Sequence, residues 1–501
     1  MFAKDMRFFI EQLTKLSLYV ITDGGFYYTF TGCHISSKGV FPHVSHIFWQ
    51  AVSCRFCSRT RHPVCTRNSR NIVCVRRGYH PDQQKNSSSQ HKTEVEPDTF
   101  SFGSTIVSAF QAGRFFNGGS SNVGWATSTD NGSTWKSGFL PGTTVYAKPK
   151  GTFARQTDPA VVYNAKNQVW LIVSLGLNSS GVGTGIVVSR STDGGLTWSK
   201  PVTVVTAQGS DNLDKTWIVC DNTSSSPFYG NCYVEFDNFG LNDLEMMDTS
   251  TDGGLTWGTP MTTGNSASGI GGQPVVQPNG TVIVPLDDEF ESSLQVFSSK
   301  DGGKSWSGTT TITTFNEHFV AGGIRAPNLI SGEIDKSGKV YVVFYDCRFE
   351  SGCGANDILL TSSTNGTKWS NPVRVPADPV GSGVDHFLPS IGIDHGTKGK
   401  KAHLVVTYYY YPNANCSSST CQLDVGYVSS TNGGKTWSTS QQLAGPMTLS
   451  WLANTTQGVM AGDYFSTSFA GGKAFPVIAN ATAPNGSVFN EGILHIASPG
   501  F

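Results

Sequence analysis

The stretch Ser191-Thr192-Asp193-Gly194-Gly195-Leu196-Thr197-Trp198 decides the fold, because the chain repeats it. It returns almost unchanged at residues 250–257 (STDGGLTW). Looser copies stand at 128–135 (STDNGSTW) and 299–306 (SKDGGKSW), and two more, at 362–369 (SSTNGTKW) and 430–437 (STNGGKTW), lose the Asp. A pattern that recurs at intervals of this length indicates a fold built from repeated units.

The segments between these copies predict β-strands. From about residue 94 each unit opens with a short extended segment, often with an acid or Arg beside a Pro, as in Glu96-Pro97 and Asp158-Pro159. Two β-rich runs follow, then the repeated turn, then a fourth run. Four strands in a unit of roughly 55–65 residues are typical of a propeller blade. We therefore predict an all-β propeller of four-stranded antiparallel blades.

The number of blades follows from the number of units. Six turns predict six blades, and a seventh unit that opens at Asp463 shows three strands but no fourth. We favour seven blades, with six as the alternative. Residues 71–75 (NIVCV) are predicted to supply the missing outer strand, which would close the ring and leave no exposed sheet edge. The propeller thus covers residues 71–501.

Residues 1–70 carry none of the repeat features and are basic, with four Cys scattered among aromatic residues. We leave this segment unassigned, either as a disordered region or as something other than the native start. Charged residues within the first 20 interrupt the apolar core that a signal peptide needs.

Composition excludes several classes of function. Gly is abundant at 57 residues and charged residues make up only 14%, which suits a β-rich chain with many tight turns. The formal net charge is −1, so no nucleic acid partner is indicated. The sequence has no run of 18 uncharged apolar residues, so it predicts no membrane span. We expect a monomer.

Six Cys of the repeat region predict local disulfides and an extracellular protein. They fall into three pairs that are close along the chain: Cys220 with Cys232, Cys347 with Cys353, and Cys416 with Cys421. Disulfides of this kind form in oxidising compartments. Several Asn-X-Ser/Thr sequons agree with secretion and glycosylation, among them Asn178 and Asn279.

The conserved letters of the turn have structural explanations. The Asp can accept backbone N–H groups, the Gly allows left-handed geometry, and the Trp can pack between blades. We therefore interpret the four Asp of the turn as structural: Asp130, Asp193, Asp252 and Asp301.

This pattern resembles the Asp-box, or bacterial neuraminidase repeat, of the sialidase superfamily, over about residues 94–501. The resemblance implies a propeller. Its members include sialidases, other glycoside hydrolases, sorting receptors and photosystem assembly factors, so it does not fix one activity.

Strand direction places the candidate site. Turns between third and fourth strands lie on one face, so the starts of first strands and the ends of second strands meet on the other. Acids, Arg and Tyr collect at these positions, and paired carboxylates are what glycosidic cleavage requires. The candidate catalytic residues are Tyr464, Asp463, Asp158, Asp288 and Glu289. The candidate substrate-binding residues are Arg155, Arg325, Arg348, Asp214 and Asp346.

The resemblance implies roles for some of these residues. Sialidases use a Tyr nucleophile, an Asp acid/base and three Arg that hold the carboxylate of the sugar. Tyr464 is our candidate nucleophile, with Tyr409 as its rival. Arg325, in Gly323-Ile324-Arg325-Ala326-Pro327, resembles the family's Phe-Arg-Ile-Pro motif with Ala in place of Ile. It stands in the middle of the chain and not in the first blade.

Simpler explanations remain open for several residues. Arg348 could neutralise Asp346 locally, and the tyrosines at 408–411 could pack between blades. The acidic run 287–289 could bind Ca²⁺ through oxygen ligands, although we assign no metal and no cofactor. Our first hypothesis is a secreted sialidase-like glycoside hydrolase. The alternatives are a non-catalytic propeller that binds glycans or proteins, and hydrolysis of another polysaccharide by a carboxylate pair.

Overall fold

The computed structural model describes residues 88–496 in full, and before them the backbone of strands at 18–21, 27–30, 64–68 and 71–77. The chain forms two compact units, Met1–Arg61 and His62–Phe501. The described part of the first unit is an antiparallel pair, β1 (Leu18–Ile21) with β2 (Tyr27–Phe30). The predicted domain boundary at residue 70 stays a prediction.

The second unit is built almost entirely of β-strands. Its first strands are β3 (Val64–Asn68), β4 (Asn71–Arg77), β5 (Glu94–Phe102), β6 (Thr105–Arg114), β7 (Ser120–Ser128), β8 (Lys136–Phe139), β9 (Arg155–Asn164), β10 (Val169–Leu177), β11 (Gly183–Ser191), β12 (Val202–Thr206), β13 (Leu213–Cys220), β14 (Cys232–Asn238), β15 (Leu244–Ser250) and β16 (Met261–Thr262). The strands that follow are β17 (Val275–Val276), β18 (Val282–Asp287), β19 (Ser293–Ser299), β20 (Thr310–Thr314), β21 (Ser331–Ile334), β22 (Val340–Asp346), β23 (Asp357–Ser363), β24 (Val373–Arg374), β25 (Asp385–Ile393), β26 (Leu404–Tyr411), β27 (Gln422–Ser430), β28 (Gln441–Thr448), β29 (Ala453–Thr455), β30 (Gly458–Met460), β31 (Ser466–Ala470), β32 (Lys473–Ala481) and β33 (Glu491–His495). Single turns of 3₁₀ helix lie at Phe239–Leu241, Ala321–Gly323, Ser351–Cys353, Gly399–Lys401 and Leu449–Trp451.

The sheets confirm an all-β propeller with four-stranded antiparallel blades. Four sheets are separate blades, formed by β13 to β16, β17 to β20, β21 to β24 and β25 to β28. A fifth sheet has eight strands and contains two such units, β5 to β8 and β9 to β12. Within each blade the strands follow chain order, so strand one pairs with two, two with three, and three with four.

The structure does not show the seven separate blades that we predicted, for two reasons. The pair Ser120↔Gln156 links β7 to β9 and merges the first two units into one sheet. The last unit has only β31, β32 and β33 of its own, and β3 and β4 extend it to five strands. β4 pairs with β33 over two positions, Leu494↔Arg77 and His495↔Arg76. Closure of the ring by this N-terminal strand stays a prediction.

Each repeated turn joins the third and fourth strands of a unit, and its Asp organises the local backbone. Asp193 Oδ1 accepts the amide N–H groups of Leu196 and Thr197 at 3.1 and 2.9 Å, while Oδ2 accepts the Thr197 hydroxyl at 2.6 Å. Asp130, Asp252 and Asp301 accept the same kinds of donors. These carboxylates are thus used within their own turns.

The two turns without Asp keep this arrangement through an amide oxygen. Asn432 Oδ1 accepts the Thr436 N–H at 2.9 Å. In the copy at 362–369 the residue that acts is Asn365, which accepts the Lys368 N–H at 2.9 Å, and not Thr364 at the aligned position. One residue fewer separates it from the Trp, so the copy is a shortened form of the turn.

The core lies between neighbouring blades and receives the Trp of the turn. Trp198 packs with Val107, Trp125 and Trp170, which belong to the first two units. Gly195 has φ +80°, and a Cβ there would lie 2.7 Å from Val107 Cγ2, so this position of the turn requires glycine. Each turn therefore fastens one blade to the previous one.

The three predicted disulfides are confirmed. Cys220 bonds to Cys232, Cys347 to Cys353, and Cys416 to Cys421. In the part of the chain that the structure describes, no helix has the length and apolar character needed to cross a membrane.

Candidate functional site

Bulges in the first strands carry the charged residues of the site. Glu96, Asp158 and Lys215 have positive φ values of 52°, 47° and 29°. Each lies where the pairing of the first and second strands shifts register. Non-glycine residues adopt this conformation at a cost, and a bulge re-aims the side chain it carries. The strain therefore serves to direct these three side chains.

The side chains meet in a buried ion cluster. Asp463 accepts two bonds from Arg325, one from Nε at 2.6 Å and one from Nη2, and its Oδ2 also accepts Lys215 Nζ at 2.5 Å. Asp463 is buried, and the Arg325 side chain keeps 20% of its surface exposed. Asp463 lies just before β31, Arg325 lies before β21, and Lys215 lies near the start of β13. Segments of three different blades can touch only near the centre of the ring.

Two further carboxyls complete what we call the central cluster: Glu96, Asp158, Lys215, Arg325 and Asp463. Glu96 accepts from Gln111 Nε2 and, at 3.4 Å, from the Asp463 backbone N–H. Asp158 Oδ1 accepts the Thr157 hydroxyl at 3.2 Å. Among the described residues, neither Glu96 nor Asp158 forms an ion pair, and both are buried.

The cluster shifts the pKa values of its carboxyls in opposite directions. Burial raises the pKa of Glu96, and the negative charge of Asp463 raises it further. Burial also raises the pKa of Asp158 well above its usual range, although Lys215 opposes this. Burial would raise the pKa of Asp463 too, but Arg325 and Lys215 outweigh it and hold that pKa below its usual range. One carboxyl with a lowered pKa thus lies beside two whose pKa values are raised.

Lys215 stays charged for the same reason. Burial alone would lower the pKa of its ammonium group, but Asp463, Asp158 and Glu96 outweigh burial and raise it. The central cluster therefore keeps two cations, Lys215 and Arg325, beside its carboxyls.

A cleft opens beside the cluster. It is small, with a cavity volume of about 10 Å³, and Lys215, Trp217, Gln273, Leu329 and Tyr464 are among the residues that line it. The rings of Trp217 and Tyr464 meet edge to face with centroids 5.2 Å apart. The cleft gives the cationic side of the cluster a polar and aromatic border.

The candidate nucleophiles have hydroxyls that are already engaged. Tyr464 donates to the Pro159 carbonyl at 3.0 Å, and Tyr409 donates to the Ala479 carbonyl at 2.8 Å. Both side chains are buried, and burial raises the pKa of both phenols. Tyr464 borders the cleft and Tyr409 contacts the last blade. The nucleophile assignment stays a prediction.

The three candidate Arg side chains lie in separate environments. Arg155 donates to the Gly118 and Ser179 carbonyls at 2.8 and 2.7 Å. Arg348 holds Asp346 through Nε at 2.8 Å and Nη2 at 2.6 Å, which is the local pairing that we kept as an alternative. Among the described contacts, only Arg325 of the three reaches the central cluster. Of these three candidates the structure therefore places one at the central cluster, beside Lys215. Arg114, which was not a candidate, is buried within electrostatic reach of Glu96, Asp158 and Asp463.

The acids of the third and fourth blades also lie outside the central contacts. Asp288 accepts Ser292 N–H at 2.7 Å and the Ser293 hydroxyl at 2.6 Å, so it shapes its own loop. These and neighbouring donors outweigh burial and lower the pKa of Asp288. Asp214 accepts the Lys215 N–H at 2.9 Å. Burial raises the pKa of Asp243, and Asp214 and Glu289 raise it further, so these two acids face Asp243.

The possible metal sites do not fit a metal ion. Asp357, Asp378 and His386 offer ligand atoms within 4.8 Å of one another. Arg374 already pairs with both acids, at 2.6 Å to Asp357 and 2.5 Å to Asp378, and places a cation there. In the run 287–289, Asp288 uses both oxygens in its loop. Among the described residues this run is not part of a cluster of three such ligand groups.

The candidates from the sequence do not include two members of the central cluster, Glu96 and Lys215. They also do not include Gln111 and Gln457, which lie beside it. Glu96 stands before Pro97 as Asp158 stands before Pro159, so the repeated acid-Pro pair could have found it. Gln111, which contacts Glu96, and Gln457, which contacts Arg325, carry no such signal.

The chain matches no protein-family model, and the comparison with curated proteins gave no match. Solved structures are similar in fold. A polysaccharide lyase of family PL25, an ulvan lyase, is 11% identical with a TM-score of 0.50 over 82% of this chain and 96% of its own. A Hadza microbial sialidase is 15% identical with a TM-score of 0.42, over 69% of this chain and 66% of its own, just under two thirds. An α-L-arabinanase from Penicillium chrysogenum is 13% identical with a TM-score of 0.43, over 64% and 91%. At such identities the similarity concerns the fold alone.

Stability should fall as pH rises from 5 to 8. Burial raises the pKa of Glu94 to about 8 and that of Asp98 to about 7. In this window the unfolded chain releases these protons while the folded chain keeps them, so higher pH favours unfolding. Glu94 alone would contribute on the order of 4 kcal/mol. The lowered pKa of Asp463 acts only in strong acid, outside this window. Urea unfolding at pH 5 and pH 8 measures the change.

The variant Glu94→Gln provides the control for this pH dependence. It removes one titrating group, so its free energy of unfolding should change less between pH 5 and pH 8 than that of the wild type. A wild-type protein that is more stable at pH 8 than at pH 5 would contradict the assignment.

Proposed function

We propose that this protein is a carbohydrate-active enzyme that cleaves a glycosidic bond at the central cluster. One observation carries the proposal: buried carboxyls whose pKa values are shifted in opposite directions lie beside two cations on the face where the first strands begin. Environments that push carboxyl pKa values apart are how glycosidases separate their acid from their base. The ulvan lyase of similar fold is an example of a protein of this architecture that acts on a polysaccharide.

The cations fit a sugar that carries a carboxylate. Arg325 is the partly exposed member of the cluster, and a guanidinium matches a carboxylate bidentately. Lys215 borders the cleft and adds a second charge. We assign Asp463 to holding both cations in place, since it contacts each of them. The expected sialidase activity is one case of this substrate class.

Asp158 and Glu96 would supply acid and base. Like charges disfavour each other, and the charge of Glu96 raises the pKa of Asp158. Glu96 accepts from an amide and a backbone N–H, which favour its ionised form, and we assign it as the base. Asp158 would give its proton to the glycosidic oxygen as the C–O bond breaks. Glu96 would take the proton from the water whose oxygen bonds to the anomeric carbon.

A non-catalytic glycan-binding propeller is the second candidate. The observation in its favour is that Asp463, Tyr464 and Arg348 are all engaged with protein groups. Saturable binding of a glycan without product release would support this candidate over the enzyme.

We also propose that the protein acts outside the cell. Three disulfides, each between Cys close along the chain, form in an oxidising compartment. The expected monomer stays a prediction.

Arg325→Lys should weaken turnover of acidic sugars. A panel of a fluorogenic sialoside, a glucuronide, polygalacturonate and neutral glycosides tests the function. We expect turnover of a carboxylate-bearing substrate and a rise in KM of about 10-fold or more in the variant, because Lys keeps the charge but loses the bidentate fork. Arg348→Lys is the matched control, since Arg348 pairs with Asp346.

Two results would contradict this function. The first is no turnover of any substrate on the panel by the folded wild-type protein. The second is an Arg325→Lys variant whose KM equals that of Arg348→Lys.

A further inference from the structure

Five phenylalanines stand exposed on the face that holds the central cluster, and three of them lie on neighbouring loops of the fourth and fifth blades. Phe319 is 84% exposed, Phe290 78% and Phe349 41%. Phe290 lies in the loop between β18 and β19, Phe319 between β20 and β21, and Phe349 between β22 and β23. Each loop follows a second or a fourth strand, so all three lie at the end of the sheets where first strands begin. Large apolar side chains kept in water at one place mark a binding surface.

A buried asparagine holds the first two loops side by side. The Asn328 backbone N–H donates to Glu291 Oε2 at 3.1 Å, and its side-chain Nδ2 donates to Glu317 Oε1 at 2.8 Å. Asn328 is fully buried. Glu291 follows Phe290, and Glu317 stands two residues before Phe319. One residue thus fixes the loops that carry the two most exposed rings.

Hydrogen bonds tie the third loop to the second, and a disulfide closes the third loop on itself. Asn316 donates its N–H to Asp346 at 2.8 Å, and Cys347 donates its N–H to the Asn316 carbonyl at 2.7 Å. The bond between Cys347 and Cys353 closes the loop around Phe349. The exposed positions of the rings are therefore held by the surrounding structure.

The loop that carries Phe290 lies near the site already described. Leu329, next to Asn328, lines the cleft together with Lys215. Glu291 lies within electrostatic reach of Lys215, Asp463 and Arg325. A sugar chain that leaves the cleft on this side would therefore meet the loop of Phe290 first.

Charge on the loops selects among partners. Glu289 and Glu291 flank Phe290, Glu317 precedes Phe319, and Glu350 follows Phe349. Carboxylates here would repel the anionic headgroups of a membrane and an acidic polymer. Uncharged sugars offer C–H faces that stack on separate aromatic rings and hydroxyls that donate to carboxylates.

We propose that Phe290, Phe319 and Phe349 form an aromatic arc that binds the uncharged sugar residues next to the sugar held at the central cluster. The inference rests on the proposed function. It extends the substrate class from a single acidic sugar to one attached to a neutral glycan chain.

Binding without turnover tests the arc. We would run the full chain through gels that contain galactan, arabinan, xylan or polygalacturonate, and mix it with phosphatidylserine vesicles. We expect retardation by at least one neutral polysaccharide. Phe290→Ala/Phe319→Ala should weaken it by roughly 10-fold or more, as loss of aromatic anchors does. Phe102→Ala is the matched control, because Phe102, the last residue of β5, is 45% exposed at the opposite end of the sheets. Circular dichroism verifies that the variants are folded.

The outcomes separate the arc from the proposed function. Retardation that depends on the two phenylalanines, with no turnover of any substrate, supports the arc and overturns the enzyme. Turnover by the wild type, with the double variant retarded like Phe102→Ala, overturns the arc alone. No retardation by any neutral polysaccharide, or vesicle binding that the double variant loses, also overturns it.

Discussion

Replacing Asp158 with Asn is expected to lower kcat/KM by about 10³-fold, which corresponds to roughly 4 kcal/mol of transition-state stabilisation. Burial raises the pKa of the Asp158 carboxyl well above its usual range, which favours its protonated form, and an amide cannot supply that proton to a leaving oxygen. Steady-state rates for the wild type and Asp158→Asn, on the acidic substrate that the wild type cleaves, measure the loss.

A substrate with a better leaving group separates acid catalysis from a structural effect. An aryl glycoside with an acidic phenol needs little protonation, so Asp158→Asn should lose much less activity on it than on an alkyl glycoside. Asp98→Asn is the matched control. Asp98 is a second buried acid with a raised pKa, but its Oδ2 accepts the Val161 N–H at 2.7 Å. Equal losses on both substrates, or equal losses in both variants, would contradict the role of Asp158.

Replacing Asp463 with Asn is expected to destabilise the protein by about 3–5 kcal/mol, because breaking a buried ion pair leaves an uncompensated charge. Here two cations, Arg325 and Lys215, lose the carboxylate that they share, and Lys215 is buried. Urea unfolding near neutral pH measures the change in the free energy of unfolding.

A double variant distinguishes lost pairing from lost packing. In Lys215→Met/Asp463→Asn, one of the stranded cations is gone, so the double variant should be more stable than the sum of the two single changes predicts. Additive changes in the free energy of unfolding, or a loss below about 1 kcal/mol in Asp463→Asn, would show that the cluster does not stabilise the folded protein.

Much of the architecture could be predicted because it depends on contacts that are close along the chain. The turn at Asp193 is closed by Leu196 and Thr197, and the three disulfides join Cys separated by 12, 6 and 5 residues. Strand direction then placed Arg325, Asp463 and Asp158 on the correct face. The count of blades was harder, because one cross-strand pair, Ser120↔Gln156, merges two units into a single sheet.

The site itself could be predicted only in part. The sequence grouped Arg155 and Arg348 with Arg325, since all three stand near strand ends on one face. It could not show that Arg348 turns back to Asp346, or that Arg155 donates to carbonyls of two nearby loops. Side-chain direction at a strand end depends on the local loop and not on the face to which the strand belongs.

The sequence alone therefore determined the repeated strands, the turns that join them, the disulfides, and the face that carries the acids and Arg. The tertiary structure alone decided which of those residues meet. Arg325 and Asp463 are 138 residues apart, and Lys215 and Asp463 are 248 apart. They touch because each unit returns its first strand to the centre of the ring, and because bulges direct Glu96, Asp158 and Lys215 toward one another. No pattern within a single unit contains that information.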